Sequence, residues 1–89
     1  MDDSKIIELF FARNEDAIKH TDDTYGHRLF HLADNIVHND QDAEESVNDT
    51  YYSAWKLIPP RRPQRFSTFL GKLTRNHSID RWRKNTAGK

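Results

Sequence analysis

Apolar residues recur at helical intervals along most of the chain, and no stretch alternates with the period of two that a half-buried strand requires. Ile6, Ile7, Phe10 and Phe11 predict a first helix over Asp3 to Ala12, with Asp2, Asp3 or Ser4 as its cap. Asn14 to Asp16 reads as a break, Asn14 being the next cap. Tyr25, Leu29, Leu32 and Ile36 stand at i, i+4, i+7 and i+11, with Ala33 and Val37 widening the stripe, and predict a second helix over Glu15 to His38. Thr21 to Thr24 is weak helix material and Gly26 costs about 1 kcal/mol relative to alanine, which leaves open one kinked helix or two. Asn39 or Asp40 caps a third helix reaching Ile58, with Ala43, Val47, Tyr51, Ala54 and Ile58 as its buried stripe. Pro59-Pro60 stops it, since proline lacks the N–H and restricts the residue before it. A stiff, charged loop, Pro59 to Arg65, leads to a fourth helix from Phe66 or Ser67 to about Lys84. Phe66, Phe69, Leu70 and Leu73 are its inward residues, and Asn85 to Lys89 is read as a frayed tail. The predicted class is all-α, a compact bundle of about four helices with short connections.

Composition narrows the class. The chain has 89 residues, 35% of them hydrophobic and 31% charged, enough for one small domain with a thin core. Cysteine is absent, which removes disulfides, thiol catalysis and cysteine-ligated zinc and suits a reducing, cytoplasmic setting. No apolar run approaches the roughly 18–20 residues of a membrane span, and Met1-Asp2-Asp3 is no signal-peptide start, so neither membrane association nor export is expected.

The zero net charge conceals a division. Met1 to Ala54 holds four Lys/Arg against 13 Asp/Glu, a net of −9, while Trp55 to Lys89 holds ten Lys/Arg against one acid, a net of +9. A basic half suits phosphates and an acidic half suits a basic protein surface. The alternative is a solvated surface with the two halves paired internally.

On the third helix, Asp42, Glu45 and Asp49 project opposite Val47, Tyr51 and Ala54, and Tyr52 shares that outer face. This is either an ordinary solvated face or a dock for an Arg/Lys-rich helix. Arg61, Arg62, Arg65, Lys72, Arg75, Arg81, Arg83 and Lys84 charge the loop and fourth helix, with Phe66, Phe69 and Trp82 interleaved. Cations with rings fit single-stranded or melted nucleic acid, although by wheel arithmetic the basic residues do not share one clean face. Asn76 and Asp80 lie near the Leu73 face, where Asp80 is expected to pair with Lys84 and Asn76 to satisfy a helix end. His20, His27, His31, Asp34 and His38 share one face of the second helix, but that face points to water, so no metal site is expected. No phosphate loop, serine nucleophile motif or paired carboxylate site occurs, and neither an enzyme activity nor a cofactor is expected.

Three segments in order resemble one family. Asp42-Ala43-Glu44-Glu45, Val47-Asn48-Asp49-Thr50-Tyr51 and Ala54-Trp55 resemble the core-binding helix of bacterial RNA polymerase sigma factors of the extracytoplasmic-function (ECF) type. Phe66-Ser67-Thr68-Phe69-Leu70, then Asn76, Ile79, Asp80 and Arg83, resemble the family's promoter helix, and Tyr25-Gly26-His27-Arg28-Leu29 its first long helix. The resemblance implies a non-enzymatic region 2 domain over residues 1–89. Asp42, Glu45, Asn48 and Asp49, with Tyr52 beside them, would dock on the coiled coil of the polymerase β′ subunit. The loop and fourth helix would recognise and melt the promoter −10 element through its non-template strand, a flipped base entering a pocket of the Arg61–Ser67 loop. Arg61, Arg62, Arg65, Phe66, Ser67, Lys72, Arg75, Asn76, Arg81 and Arg83 are the implied DNA residues. An anti-sigma factor is a further partner of such a domain.

The chain departs from the family pattern in places. Phe69 replaces the usual tryptophan, Asn48 and Asp49 are one methylene shorter than the common glutamine and glutamate, and the loop is unusually rich in proline. The helix-turn-helix that reads the −35 element has no counterpart in these residues, so no second DNA-binding domain is expected. The competing class is a helical protein-interaction module whose acidic and basic faces both bind proteins.

Overall fold

Asp2 and Asn39 open two of the four helices by the same local chemistry. The Asp2 carboxylate accepts the Lys5 N–H at 3.0 Å and starts α1 (Asp3–Phe11). The Asn39 side chain accepts the Asp42 N–H at 2.9 Å and starts α3 (Asp40–Leu57). Between them runs α2 (Asp16–Val37), and after the proline loop comes α4 (Phe66–Ala87). This is a computed structural model describing residues 1–87, and among them there is no strand. The expected four-helix, all-α class therefore stands. The expected tail is helical through Ala87, and the rest of it lies outside the described residues.

The second segment is one uninterrupted helix of 22 residues, not two. Asn14 accepts the Asp16 N–H at 2.9 Å at its start. Thr21 is buried and returns its hydroxyl to the Ala17 carbonyl at 2.7 Å. Gly26 answers to packing. A Cβ there would stand 2.6 Å from Asp22 Oδ1, the oxygen that accepts the Tyr51 hydroxyl at 2.6 Å. The glycine leaves room for a hydrogen bond between α2 and α3, and that close approach offsets its cost in helix propensity. The helix ends on His38 in the left-handed conformation, whose N–H returns to the Asp34 carbonyl.

Helices α2, α3 and α4 pack on one another, and α1 packs on α2. Phe10 is nearly wholly buried and lies 6.0 Å from Phe66 and 6.2 Å from Trp55, while Tyr25 meets Phe66 edge-on at 5.9 Å. Tyr25 also donates to Asp3 at 2.6 Å, tying α2 back to α1.

Opposite this aromatic cluster, α3 and α4 meet along a polar seam. The inner row of α4 starts apolar at Phe66 and Leu70, then continues as Thr74 and Ser78, both fully buried. Ser46 and Thr50 are the buried hydroxyls on α3. Thr50 donates to the Ser46 carbonyl at 2.9 Å, so the 2.8 Å bond between the Thr50 and Thr74 hydroxyls has Thr74 as donor. Ser53 Oγ meets His77 Nε2 at 2.8 Å further along. Hydrogen bonding is the condition under which hydroxyls are buried without a large cost, and Ser78 Oγ is the exception in this seam, buried with no partner among the described residues. The apolar stripe read from the sequence ended at Leu73 because the buried row changes chemistry there.

Arg13, with φ of 56°, turns the chain from α1 into α2. Its Nη1 donates to the Trp55 and Ile58 carbonyls at 2.8 and 2.9 Å, and its guanidinium lies 3.7 Å from the centre of the Trp55 ring. A cation thus closes the negative end of α3, where the carbonyls lack helical partners.

Candidate functional site

The period of α3 separates two rows that the sequence treated as one face. Asn48 and Tyr52 point outward, and Tyr52 is 57% exposed, with Lys56 Nζ 4.3 Å from its ring centre. Asp42, Glu45 and Asp49 lie nearer α4, and each is held from it. Arg81 donates from Nη1 to Glu45 Oε2 and from Nη2 to Asp49 Oδ2, both at 2.8 Å. Asn85 donates to Asp42 Oδ2 at 2.9 Å. The hydrogen bond that Arg81 donates to Asp49 raises the Arg81 pKa above its ordinary value; burial opposes this and the neighbouring acids reinforce it. The Arg81 side chain is only 28% exposed, whereas Glu45 and Asp49 remain nearly half exposed.

Arg81 is accordingly removed from the implied nucleic-acid residues: both terminal nitrogens are committed to α3, and its Nε is buried without a partner. Phe66 is removed as well. At 1% exposure it is core, packed between Phe10 and Tyr25, and no base can reach its ring. Arg62 stands on the loop surface but is engaged by α1, bonded to Glu8 Oε1 at 2.7 Å and lying 4.2 Å from the Phe11 ring centre. Ser67 is half-buried in the first turn of α4. Arg61, Arg65, Lys72, Arg75, Asn76 and Arg83 are exposed.

With Arg81 and Lys84 set aside, the remaining basic residues of α4 do share a face. Lys72, Arg75, Ile79, Trp82 and Arg83 follow at i, i+3, i+7, i+10 and i+11, opposite the buried row of Leu70, Thr74 and Ser78. Trp82 is among the few large apolar side chains left exposed. The expected Asp80–Lys84 pair does not form among the described residues, whose ion pairs are Arg62–Glu8, Arg81–Glu45 and Arg81–Asp49. Asp80 instead borders a cleft of ≈ 300 Å³ with Ser53, Leu73, Asn76 and His77. Asn76 is exposed at this cleft, which Lys56 and Leu57 at the end of α3 also line.

Two further grooves, of ≈ 540 and ≈ 490 Å³, lie between α2 and α3 and share Asp22 and Asn48. Among the described residues, no group of three or more His, Cys, Asp or Glu is placed to hold a metal ion. No described helix is long and apolar enough to cross a membrane.

Sequence reasoning missed Glu8, Arg13 and His77, whose partners lie 54, 42 to 45 and 24 positions away. A local period cannot find such pairs. The unexplained polar residues of the α4 inner row were the available signal, because a buried hydroxyl or arginine implies a facing partner.

Four helices, an acidic α3 and a basic outer face on α4 define a class of domain that meets both protein and nucleic acid. Residues 22–88 match the sigma-70 region 2 family, which covers α3, the loop, α4 and most of α2; the chain belongs to this family. It is thus a transcription initiation factor domain, with promoter recognition and RNA polymerase binding as its general role and core polymerase and promoter DNA as its partners. The matched segment leaves out α1 and the first six residues of α2. No curated protein and no solved structure matches the chain significantly.

Proposed function

We propose that residues 1–89 form the region 2 domain of an ECF-type sigma factor, acting in the cytoplasm by binding rather than by bond chemistry. The outward side of α3 docks on the β′ coiled coil: Asn48 and Tyr52 make direct contact, and Asp42, Glu45 and Asp49 offer the carboxylate oxygens that α4 leaves unused. The loop and the outer face of α4 receive the non-template strand of the −10 element. Arg61, Arg65, Lys72, Arg75 and Arg83 neutralise phosphates, Asn76 presents an amide to a base edge, and Ser67 stands where the loop enters the helix. Melting is driven by capture of the separated strand, polymerase supplying most of the affinity. The docking face is also the natural target of an anti-sigma factor, since a basic segment that covers it excludes polymerase.

The observation that carries this reading is the exposed row of Lys72, Arg75 and Arg83 on α4, backed by a buried row and, among the described residues, free of ion pairs such as hold Arg62 and Arg81. The test is binding of the 89-residue chain to fluorescent oligonucleotides carrying the two strands of a −10 region, with and without core polymerase. Preference for the non-template strand, strengthened by polymerase, is the expected result. Binding to polymerase with no strand preference in either condition defeats the promoter assignment and favours a purely protein-binding module.

A further inference from the structure

Helix α1 and the turn behind it hold the 58–66 loop from both ends. At the root of the loop, Arg13 donates to the Ile58 carbonyl at 2.9 Å. At its far end, Phe66 packs on Phe10 with ring centres 6.0 Å apart. Between these anchors, the Arg62 guanidinium lies 4.2 Å from the ring centre of Phe11 and donates to Glu8 Oε1 at 2.7 Å. An isolated exposed ion pair seldom restrains a side chain. Here a carboxylate, an aromatic face and a loop fixed at its root and its far end act on one arginine. All of these restraints come from residues 8–13, which lie outside the segment matched to the family.

We infer that Glu8 is a specificity-determining residue of the promoter surface: it withholds Arg62 from the nucleic-acid backbone, so that the loop meets a single strand through Arg61 and Arg65. This rests on the assignment of the loop and α4 to single-stranded promoter DNA. A carboxylate at Glu8 competes with phosphate for the same guanidinium, since both accept its forked donors. Glu8 therefore lowers sequence-independent affinity, which phosphate binding dominates, and leaves a larger share of recognition to the bases.

The experiment is a double-mutant cycle in the full 89-residue chain, read as the salt dependence of binding to a fluorescent single-stranded oligonucleotide. Glu8→Gln is expected to tighten binding and to steepen the log–log salt slope by about 0.7, the value for one more phosphate neutralised on a single strand. Adding Arg62→Gln to that variant returns the slope to that of the native chain. Glu15→Gln, the same charge change on an exposed acid outside the pair, leaves the slope where it was. Circular dichroism verifies that each variant keeps its helices. Additive effects of Glu8→Gln and Arg62→Gln overturn the inference while the promoter assignment survives. A failure of the native chain and every variant to bind single strands overturns both.

Discussion

The acidic row of α3 and the basic outer face of α4 look like equal and opposite surfaces in the sequence, but the fold treats them differently. Asp42, Glu45 and Asp49 are all held by their own chain, through Asn85 and Arg81. Lys72, Arg75 and Arg83 are exposed and, among the described residues, have none of the ion pairs that engage Arg62 and Arg81. A partner of α3 finds carboxylates already oriented, each with one oxygen engaged and one left over. A partner of α4 finds separate cations whose counterions it must displace. The first arrangement favours geometric selection and the second favours salt-sensitive attraction, which suits the proposed docking of α3 on a protein helix and the proposed capture of a strand by α4.

The severest way to break this contrast is to reverse Asp42, Glu45 and Asp49 to lysine. The substitutions remove the docking charge and confront Arg81 with like charge. Affinity for core polymerase should fall at least about a hundredfold, or about 2.7 kcal/mol, in a chain that circular dichroism still reports as helical. Retained affinity with retained helicity would detach docking from this row.

Arg81→Ala separates the two surfaces more finely. It strips Glu45 and Asp49 of their shared donor and should lower stability to urea by about 1–2 kcal/mol, the worth of charge-assisted hydrogen bonds at a partly exposed site. The salt slope of single-strand binding should not move. A flattened slope would return Arg81 to the DNA residues.

Lys72→Ala and Arg75→Ala should behave in the opposite way. Each side chain is exposed, so stability should change by less than about 0.5 kcal/mol, while the salt slope flattens by about 0.7 for each phosphate no longer neutralised. A slope indifferent to both substitutions places the strand elsewhere.

The smallest effect at neutral pH concerns the scaffold that both surfaces share. Burial, reinforced by the hydrogen bond to Asp3, pushes the Tyr25 pKa up to about 12. Burial and the bond to Asp22 raise that of Tyr51 as well. An unfolded tyrosine titrates near about 10, so the native state favours the protonated phenol. The resulting stability is complete below that pH and declines as pH rises from about 10 toward 12. Urea midpoints across that range should fall less steeply when Tyr25 and Tyr51 are both phenylalanine. An equal decline in the double variant would show that other groups govern alkaline unfolding.

Much of the architecture is legible in short stretches of the chain. The caps Asp2 and Asn39, the stop at Pro59-Pro60 and the stripes of α1 and α3 depend on neighbours within one or two turns, and each lies where the pattern places it. Gly26 shows the opposite situation. Its helix propensity suggests a bend, yet α2 continues through it because Asp22 and Tyr51 need the space. Phe66, Arg62 and Arg81 show it for the functional surface: charge and aromaticity nominated them for DNA, and the core, Glu8 and the α3 carboxylates claimed them instead.

By itself, the amino-acid order determined where helices start and stop, which faces of α1 to α3 turn inward and how charge divides along the chain. These properties are set by local backbone chemistry and by the helical period. Only the tertiary structure decided which charges remain available to a partner. Arg81 and Arg62 meet acids 32 to 54 positions away, and that proximity exists only once the helices have packed. An ion pair acts over a few ångströms, so spacing along the chain cannot tell a free arginine from a held one.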